Sequence, residues 1–249
     1  MRINKLDVEV YNTRAEMGAA AVVRVSAKIN ELLRQQDTVN IIFAAAPSQN
    51  EFLEGLLQAP IEWDRIRAFH MDEYIGLPPD AEQGFGNFLR VRLFEKVPFL
   101  SVSYIDGGAT DLRKECERYA DLLGQDPPDI VCMGIGENGH IAFNDPPVAD
   151  FNDPYMVKVV ELDLPCRQQQ VNDGCFARLG LVPRHAITLT VPALMAGRFI
   201  YCMVPGRLKA DAVFNTLTEE IGTDIPASIL RRHEHAELFL DVDSAEKIV

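Results

Sequence analysis

Hydrophobic and polar positions along the chain follow two different spacings. Between Thr13 and Arg34 the apolar residues recur every three or four positions, which predicts one long amphipathic helix with Thr13 as its N-cap. Shorter periodic segments predict helices over residues 51–57, 87–96, 110–123 (capped by Thr110), 208–217 and 226–230. Uninterrupted or alternating apolar runs predict buried strands over residues 39–45, 66–69, 129–132, 156–162, 185–191, 199–204 and 236–242.

Strands that alternate with helices are typical of parallel crossover connections. The order of the predicted elements therefore indicates the α/β fold class, in the form of a Rossmann-like doubly wound, mostly parallel sheet with helices on both faces. The chain contains no internal repeat and no low-complexity linker, so we expect a single domain over residues 1–249.

Charge, apolar run length and cysteine spacing argue against several classes of protein. The net charge of −13 disfavours a nucleic-acid partner, because phosphate backbones attract basic surfaces. No apolar stretch approaches the ~20 residues that span a bilayer, and the N-terminus lacks the apolar core of a signal peptide. The cysteines are scattered and include no Cys-x-x-Cys pair, which indicates reduced structural thiols. We therefore expect a cytoplasmic protein with no nucleic-acid partner, no membrane partner and no metal site.

The glycine-rich segment from Met133 to Pro146 follows a predicted buried strand and reads Met-Gly-Ile-Gly-Glu-Asn-Gly-His-Ile-Ala-Phe-Asn-Asp-Pro. Gly136 and Gly139 allow the backbone to approach a ligand where a Cβ would clash. His140 can transfer a proton near neutral pH. Asp145, five residues further on, can orient His140 or tune its proton affinity.

Two adjacent acids, Asp72 and Glu73, follow the short strand predicted over residues 66–69. In open α/β sheets, ligands bind beyond the carboxyl ends of the strands. Both acidic segments therefore belong to the edge of the sheet where such a fold places its chemistry. Of the two neighbours, Glu73 is the better candidate for a structural role.

These two segments carry a resemblance to a known family. Residues 69–77 resemble the Met-Asp-Glu-Tyr signature of the glucosamine-6-phosphate deaminase/isomerase family, and residues 134–146 resemble its Gly-x-Gly-x-x-Gly-His-Ile-Ala-Phe-Asn-acid-Pro signature. The resemblance covers nearly the whole chain, and two signatures in order are more specific than a lone glycine-rich loop. That family shares its fold with 6-phosphogluconolactonases. The resemblance implies a small-molecule sugar phosphate as the partner: an amino sugar phosphate is ring-opened, isomerised and deaminated to fructose 6-phosphate and ammonium, without a cofactor.

The resemblance also implies roles for individual residues. Asp72 matches the base that removes the C2 proton of the sugar, and proton abstraction of this kind needs a positioned base. His140 matches the residue that moves a proton between O5 and O1, and Asp145 matches the acid that supports it. Asn138 departs from the family, which carries an aspartate there. Asparagine keeps hydrogen-bonding capacity but adds no charge, so we expect the substitution to retune the activity rather than abolish it.

Two loops are candidates for binding the phosphate. Ser48 and Gln49 lie where a strand leads into a helix, and backbone amides at such a junction favour an anion. The family usually carries Thr-Gly or Thr-Gly-Gly in this loop, whereas residues 45–47 read Ala-Ala-Pro, and proline lacks an N–H donor. Lys209 matches the family's phosphate-binding lysine. The family's arginine has no clean counterpart, and Arg167 is the best substitute because a guanidinium suits phosphate, although a surface salt bridge is an equal alternative.

Several alternatives stay open at this point. Nothing in the motifs determines the C4 hydroxyl, so galactosamine 6-phosphate is a second possible substrate. A 6-phosphogluconolactonase-type hydrolase would also use the central histidine, but it has no need of the extra base Asp72. A low-turnover sugar-phosphate sensor is suggested by Asn138 and by the altered residues 45–47. The sequence does not determine the oligomeric state, and a homo-oligomer is possible.

Overall fold

The computed structural model describes residues 1–249, which form eleven β-strands and seven α-helices. The strands are β1 (Arg2–Ile3), β2 (Leu6–Tyr11), β3 (Val39–Phe43), β4 (Ile66–His70), β5 (Asp72–Tyr74), β6 (Ser101–Ser103), β7 (Ile130–Met133), β8 (Val157–Glu161), β9 (His185–Leu189), β10 (Phe199–Val204) and β11 (Ala236–Asp241). The helices are α1 (Arg14–Leu33), α2 (Asn50–Leu56), α3 (Phe85–Leu89), α4 (Leu112–Gln125), α5 (Leu164–Asn172), α6 (Val191–Met195) and α7 (Ala210–Thr218).

The main sheet has eight strands in the order β1-β2-β11-β10-β7-β3-β4-β6. All neighbouring pairs are parallel except the edge pair of β1 with β2. From β3 the chain proceeds to β4 and β6 on one side, and then returns to place β7 on the other side of β3. The strand order therefore reverses between β3 and β7, and a crevice opens at such a switch point beyond the carboxyl ends of the strands.

Alternate residues of the central strands face opposite sides of the sheet and build two hydrophobic layers. One layer packs the sheet against α4, α6 and α7, and its members include Val8, Ile42, Val131, Cys202, Leu238, Tyr119, Leu194 and Val213. The other packs it against α1, α2 and α3, and its members include Ile41, Phe43, Cys132, Met203, Phe239, Val25, Phe52 and Leu89. Helices cover both faces, so the predicted fold class is confirmed.

A second, smaller sheet was not predicted. It is antiparallel, with the order β5-β9-β8, and it lies outside the main sheet. The sequence analysis treated residues 156–162 and 185–191 as members of one parallel sheet. The apolar alternation of these segments predicts a strand but carries no information about its partner, so the error concerns pairing rather than the type of element.

Most predicted elements are present with shifted ends. The long helix is confirmed as α1, where Thr13 Oγ1 accepts a hydrogen bond from the Glu16 amide at 3.1 Å. The cap predicted at Thr110 is wrong by one residue, because Asp111 Oδ1 accepts from the Lys114 amide at 3.1 Å. Helix α3 begins at Phe85 and continues as a π-helical turn over Arg90–Phe94. The short helix predicted near residue 226 is a 3₁₀ segment, Pro226–Arg232.

Four strands and two helices have no counterpart in the sequence analysis. The alternation in Leu6–Tyr11 is a strand pattern that was overlooked. Strands β1, β5 and β6 have two or three residues each, which is too short for periodicity to be visible. Helix α5 is rich in glutamine and helix α6 has only five residues. Neither offers the apolar stripe on which helix prediction depends.

Candidate active site

A cavity of about 570 Å³ lies at the switch point of the main sheet. Its walls come from the segments that leave four parallel strands: residues 44–48 after β3, 71–72 after β4, 134–140 after β7 and 205–209 after β10. Asp72, His140, Ser48 and Lys209 therefore line one space, although they are distant in sequence. The sequence-based expectation that the two acidic segments lie at the same edge of the sheet agrees with this arrangement.

Asp72 is the first residue of β5, where it pairs with Thr188 of β9. Its carboxyl is almost fully buried, and no cation is close enough to compensate. Burial raises the pKa of Asp72 well above its usual range, and the neighbouring Glu73 raises it further. A carboxyl whose proton affinity approaches the working pH is better suited to proton transfer than an ordinary surface aspartate.

The His70 side chain holds the backbone of Asp72 in place. Its Nε2 accepts the Ile105 amide at 2.9 Å, so its Nδ1 carries the proton and donates to the Asp72 carbonyl at 2.9 Å. Burial lowers the pKa of His70 to about 4, so the imidazole is neutral at physiological pH. His70 is thus a packing and positioning residue.

Glu73 points away from the cavity and caps α3. Its carboxylate accepts hydrogen bonds from the backbone amides of Tyr74 at 2.8 Å, Phe85 at 3.0 Å and Gly86 at 2.8 Å. The two adjacent acids of the signature therefore have opposite surroundings: Asp72 faces the cavity, and Glu73 fastens residues 84–86 to β5.

His140, Asn138 and Asp145 form one hydrogen-bonded cluster. The Nδ1 of His140 lies 2.7 Å from Asn138 Oδ1 and 3.0 Å from Asp145 Oδ1. Asn138 Nδ2 donates to the same Asp145 oxygen at 3.0 Å, which identifies the other Asn138 atom as the acceptor. Both neighbours of Nδ1 are oxygens, so Nδ1 carries the proton. The other ring nitrogen, Nε2, has no partner in the protein and is free to accept a proton from a ligand in the cavity.

Asp145 is ionised in this environment. Burial by itself raises its pKa, but the hydrogen bonds from His140 and Asn138 outweigh burial and hold the pKa of Asp145 below its usual range. The cluster therefore contains a single negative charge beside the histidine. Asn138 takes the place of a second carboxylate and acts as a bridge, since it contacts both the imidazole and the remaining acid.

Two glycines of the signature, Gly136 and Gly139, allow His140 to take its position in this cluster. The His140 ring packs directly on Gly136, whose position also lines the cavity. Gly139 has a φ of +84°, a left-handed conformation that glycine adopts without strain. Gly139 was predicted to contact substrate, but the structure uses it to turn the chain so that His140 faces Gly136.

Lys209 is the one lysine, and the one buried cation, among the residues that line the cavity. It is only 8% exposed, and its ammonium group has no hydrogen bond or salt bridge within the protein. Burial lowers the pKa of Lys209, although Asp173 and Glu137 oppose the effect from a distance. A buried, unpaired ammonium is unfavourable unless an anionic ligand compensates it. Ser48 is half-buried and lines the same cavity as Lys209.

Two other predicted binding residues do not reach the cavity. Gln49 is 1% exposed, and its Nε2 points to Ser48 Oγ at 3.0 Å and towards the Met133 and Met203 carbonyls. It ties the loop after β3 to the ends of β7 and β10. Arg167 donates to the carbonyls of Leu179 at 2.9 Å and Val182 at 3.0 Å, outside the cavity.

The prediction that Gln49 and Arg167 contact substrate is therefore corrected. Both side chains donate to backbone carbonyls instead: Gln49 to carbonyls at the ends of β7 and β10, and Arg167 to the carbonyls of Leu179 and Val182. Arg167 makes no salt bridge, because its side-chain partners are backbone carbonyls.

The residues that follow Arg167 were missed. Gln169 and Gln170 are buried on α5 and line the cavity wall. Gln169 Oε1 accepts the Glu137 amide at 2.8 Å and so braces the glycine-rich turn, whereas the Gln170 amide has no protein partner. Two buried glutamines in a helix are unusual enough to suggest a site. Because no helix was predicted over α5, the sequence did not indicate that these side chains face the cavity.

The fold and this site together define a class. A doubly wound α/β chain with a proton-accepting carboxyl, a histidine–carboxylate pair and a lone lysine around one cavity is suited to acid–base chemistry on a small anionic molecule. The chain belongs to the family described as glucosamine-6-phosphate isomerases/6-phosphogluconolactonase, whose model matches residues 12–160. The family predicted from the two signatures is thereby confirmed.

Individual relatives agree with this assignment. The chain is 30% identical over 244 residues to a glucosamine-6-phosphate deaminase of Streptococcus suis, with 98% of this chain and 100% of the relative covered. A Streptococcus pyogenes glucosamine-6-phosphate deaminase is 30% identical over 205 residues, with 82% and 86% covered. Among solved structures, a monomeric glucosamine-6-phosphate deaminase superposes with a TM-score of 0.88 at 27% identity, covering 96% of this chain and 99% of that one. A Thermotoga maritima 6-phosphogluconolactonase has a TM-score of 0.78 at 21% identity, covering 95% and 100%, and shows the shared fold.

The helices of this protein give no indication of a membrane span. None of them combines sufficient length with sufficient hydropathy to cross a bilayer.

Proposed function

We propose that this protein is a glucosamine-6-phosphate deaminase, which converts glucosamine 6-phosphate to fructose 6-phosphate and ammonium. The observation that carries the proposal is the presence of two different proton-transfer groups, Asp72 and His140, on the walls of one cavity. The deaminases of the two streptococci, at 30% identity, support the same activity.

Ring opening is the step that we assign to His140. Its free Nε2 takes the proton of the O1 hydroxyl and returns it to O5 as the C1–O5 bond breaks. The Nδ1 hydrogen bonds to Asn138 and Asp145 hold the ring in the tautomer that leaves Nε2 unprotonated, and the Asp145 charge stabilises the imidazolium that forms for a moment.

Isomerisation is the step that we assign to Asp72. Its carboxylate removes the proton at C2, and the carboxylic acid then delivers that proton to C1. O1 gains a proton and the C2 amine loses one, so an aldehyde at C1 becomes a hydroxymethyl group and the C2 amine becomes an imine. Water adds to the imine carbon and ammonia leaves, which yields the C2 ketone. No organic cofactor or metal is required by these steps. We assign the phosphate to Lys209 and Ser48, which line the same cavity.

The experiment is ammonia release from glucosamine 6-phosphate and galactosamine 6-phosphate in parallel, with hydrolysis of 6-phosphogluconolactone as a third assay. Asp72→Asn removes the base with little change in volume, and Asp64→Asn is the matched control on an exposed turn. Ammonia release that is lost in the first variant and kept in the second supports the proposal and identifies the epimer. Lactone hydrolysis without ammonia release would favour the hydrolase, and binding without turnover would favour the sensor.

A further inference from the structure

Three potential metal ligands meet behind the His140 ring. The donor atoms of His140, Asp145 and Cys166 all lie within 4.8 Å of one another, and all three side chains are buried. Cys166 belongs to α5, whereas His140 and Asp145 belong to the loop after β7, so the packing of α5 against this loop creates the cluster. The sequence contains no metal-binding spacing that would have predicted it.

One oxygen of this cluster lacks a strong hydrogen-bond donor. Asp145 Oδ1 interacts with His140 and Asn138, whereas Oδ2 is fully buried and has no nitrogen or oxygen donor, and the Cys166 thiol, a weak donor, is the remaining partner of this carboxylate. A buried carboxylate oxygen without a strong donor is energetically costly, and such atoms are rare in native structures. A cation bound between Asp145 and Cys166 would satisfy it.

The donor set indicates which cation. Imidazole nitrogen, thiolate sulfur and carboxylate oxygen are the three ligand types of protein zinc sites, while Mg²⁺ and Ca²⁺ prefer oxygen alone. Bond lengths of about 2.0 to 2.3 Å place neighbouring ligands of a tetrahedral ion roughly 3.3 to 3.8 Å apart. His140 Nδ1 lies 3.0 Å from Asp145 Oδ1, and no two of the three donor atoms are more than 4.8 Å apart, so small side-chain shifts would bring them to these separations.

We infer that His140, Asp145 and Cys166 form a binding site for a thiophilic divalent cation such as Zn²⁺, and that the bound ion inhibits the protein. Binding forms a metal–sulfur bond as the Cys166 thiol releases its proton to solvent. It also forms a metal–nitrogen bond at Nδ1 of His140, whose proton moves to Nε2. Each ion therefore releases one proton.

Inhibition follows from the position of that proton. Once Nε2 is protonated and Nδ1 is held by the ion, His140 has no lone pair with which to accept a proton from a ligand in the cavity. This consequence rests on the proposed function, in which Nε2 acts as the base of ring opening. The binding itself does not depend on that function and is measured separately.

The first test uses Co²⁺ alone as a spectroscopic probe of chelator-treated protein. The expected result is one Co²⁺ per chain, with a thiolate-to-cobalt charge-transfer band and the visible band of tetrahedral cobalt. Both bands should be absent from Cys166→Ala and unchanged in Cys175→Ala, which removes the more exposed thiol of the cavity. Cys166→Ser, which preserves the volume, serves if the alanine variant does not fold. A wild-type protein without the thiolate band, or the same band in Cys166→Ala, overturns the inference.

The second test measures inhibition by Zn²⁺. Ammonia release should fall on addition of Zn²⁺ and recover with a chelator, and Cys166→Ala should need about 10-fold to 100-fold more Zn²⁺ for half-inhibition of its own metal-free activity. Equal sensitivity of wild type and Cys166→Ala overturns the inhibitory role. A cobalt–thiolate band that depends on Cys166 in a protein that releases no ammonia would retain the metal site and reject only the proposed function.

Discussion

The imidazole of His140 packs face-on against Gly136, so closely that a Cβ on Gly136 would lie 2.1 Å from Cε1 of the ring. Gly136→Ala should therefore displace the ring and lower kcat/KM by about 100-fold, the usual effect of misplacing a catalytic group by an ångström. Gly124→Ala is the control, because a Cβ there meets no atom within 4 Å. Equal activity of the two variants would contradict a role of Gly136 in placing His140.

Asp72 contributes to activity at the expense of stability. Because its pKa is raised in the folded state, the folded protein favours the protonated acid, and stability is lost as the pH rises from the unfolded value of about 4 through the folded value. Asp72→Asn should therefore be more stable than wild type by about 0.5–2 kcal/mol at neutral pH, while losing about 100-fold or more of the activity.

Urea unfolding of Asp72→Asn and wild type across the pH range checks this prediction. The difference in the free energy of unfolding should shrink as the pH falls to about 4 and below, where the acid becomes protonated in both states. A difference in the free energy of unfolding that stays constant across the pH range would show that the pKa of Asp72 is not raised in the folded state.

Asp145 has the opposite pH dependence. Its pKa is lowered in the folded state, so its contribution to stability is present above the unfolded value of about 4 and is lost as the pH falls through the folded value. Asp145→Asn should be less stable than wild type by about 1–3 kcal/mol at pH 7, because a charged partner of His140 is replaced by a neutral one. Acid titration of unfolding should show the two proteins converging at low pH.

Asn138→Asp tests whether the neutral side chain between His140 and Asp145 tunes the histidine. The substitution replaces a donor 3.0 Å from Asp145 Oδ1 with a second carboxylate, and like charges at that distance raise the pKa of one of the two acids. The cluster should then hold a proton to higher pH, so the acidic limb of the kcat/KM profile should move upward. Stability should fall as the pH rises. An unchanged profile would mean that Asn138 does not tune the histidine.

Substitutions of Lys209 and Arg167 should distinguish a residue that binds substrate from one that stabilises the fold. Lys209→Met removes an unpaired buried ammonium, so it should raise KM about 10-fold to 100-fold while leaving stability equal or greater. Arg167→Met removes two hydrogen bonds to backbone carbonyls, so it should cost about 1–3 kcal/mol of stability with little change in KM. Steady-state kinetics and thermal unfolding of both variants are the measurements. A large KM effect in Arg167→Met would restore the role that the sequence had suggested for it.

The sequence was most informative where physical constraints are local. The helix over α1 was predicted from apolar spacing and from Thr13, because the cap and the stripe both lie within the segment itself. The buried strands β3, β7 and β10 were predicted from their apolar runs for the same reason. Glu73 was correctly separated from Asp72 as the more structural acid, since one of two adjacent acids in a strand must point away from the other.

Side-chain direction was the main source of error. Gln49 and Arg167 have the right chemistry for a phosphate, but Gln49 donates to the end of β10 and Arg167 donates to the carbonyl of Val182. The buried pair Gln169 and Gln170 was overlooked because α5 has no apolar periodicity. Polar side chains settle where their hydrogen bonds are satisfied, and their partners here come from elements that only the folded chain brings near.

The sequence by itself determined the α/β class, the order of the main elements and the segments that carry chemistry, because hydrophobic periodicity and glycine-rich turns are encoded within short stretches. Tertiary structure alone decided which of those residues face the cavity, placed Cys166 beside Asp145 and left Lys209 without an internal partner. Contacts of this kind join residues from separate strands and helices. They depend on the packing of the whole sheet, which no local pattern specifies.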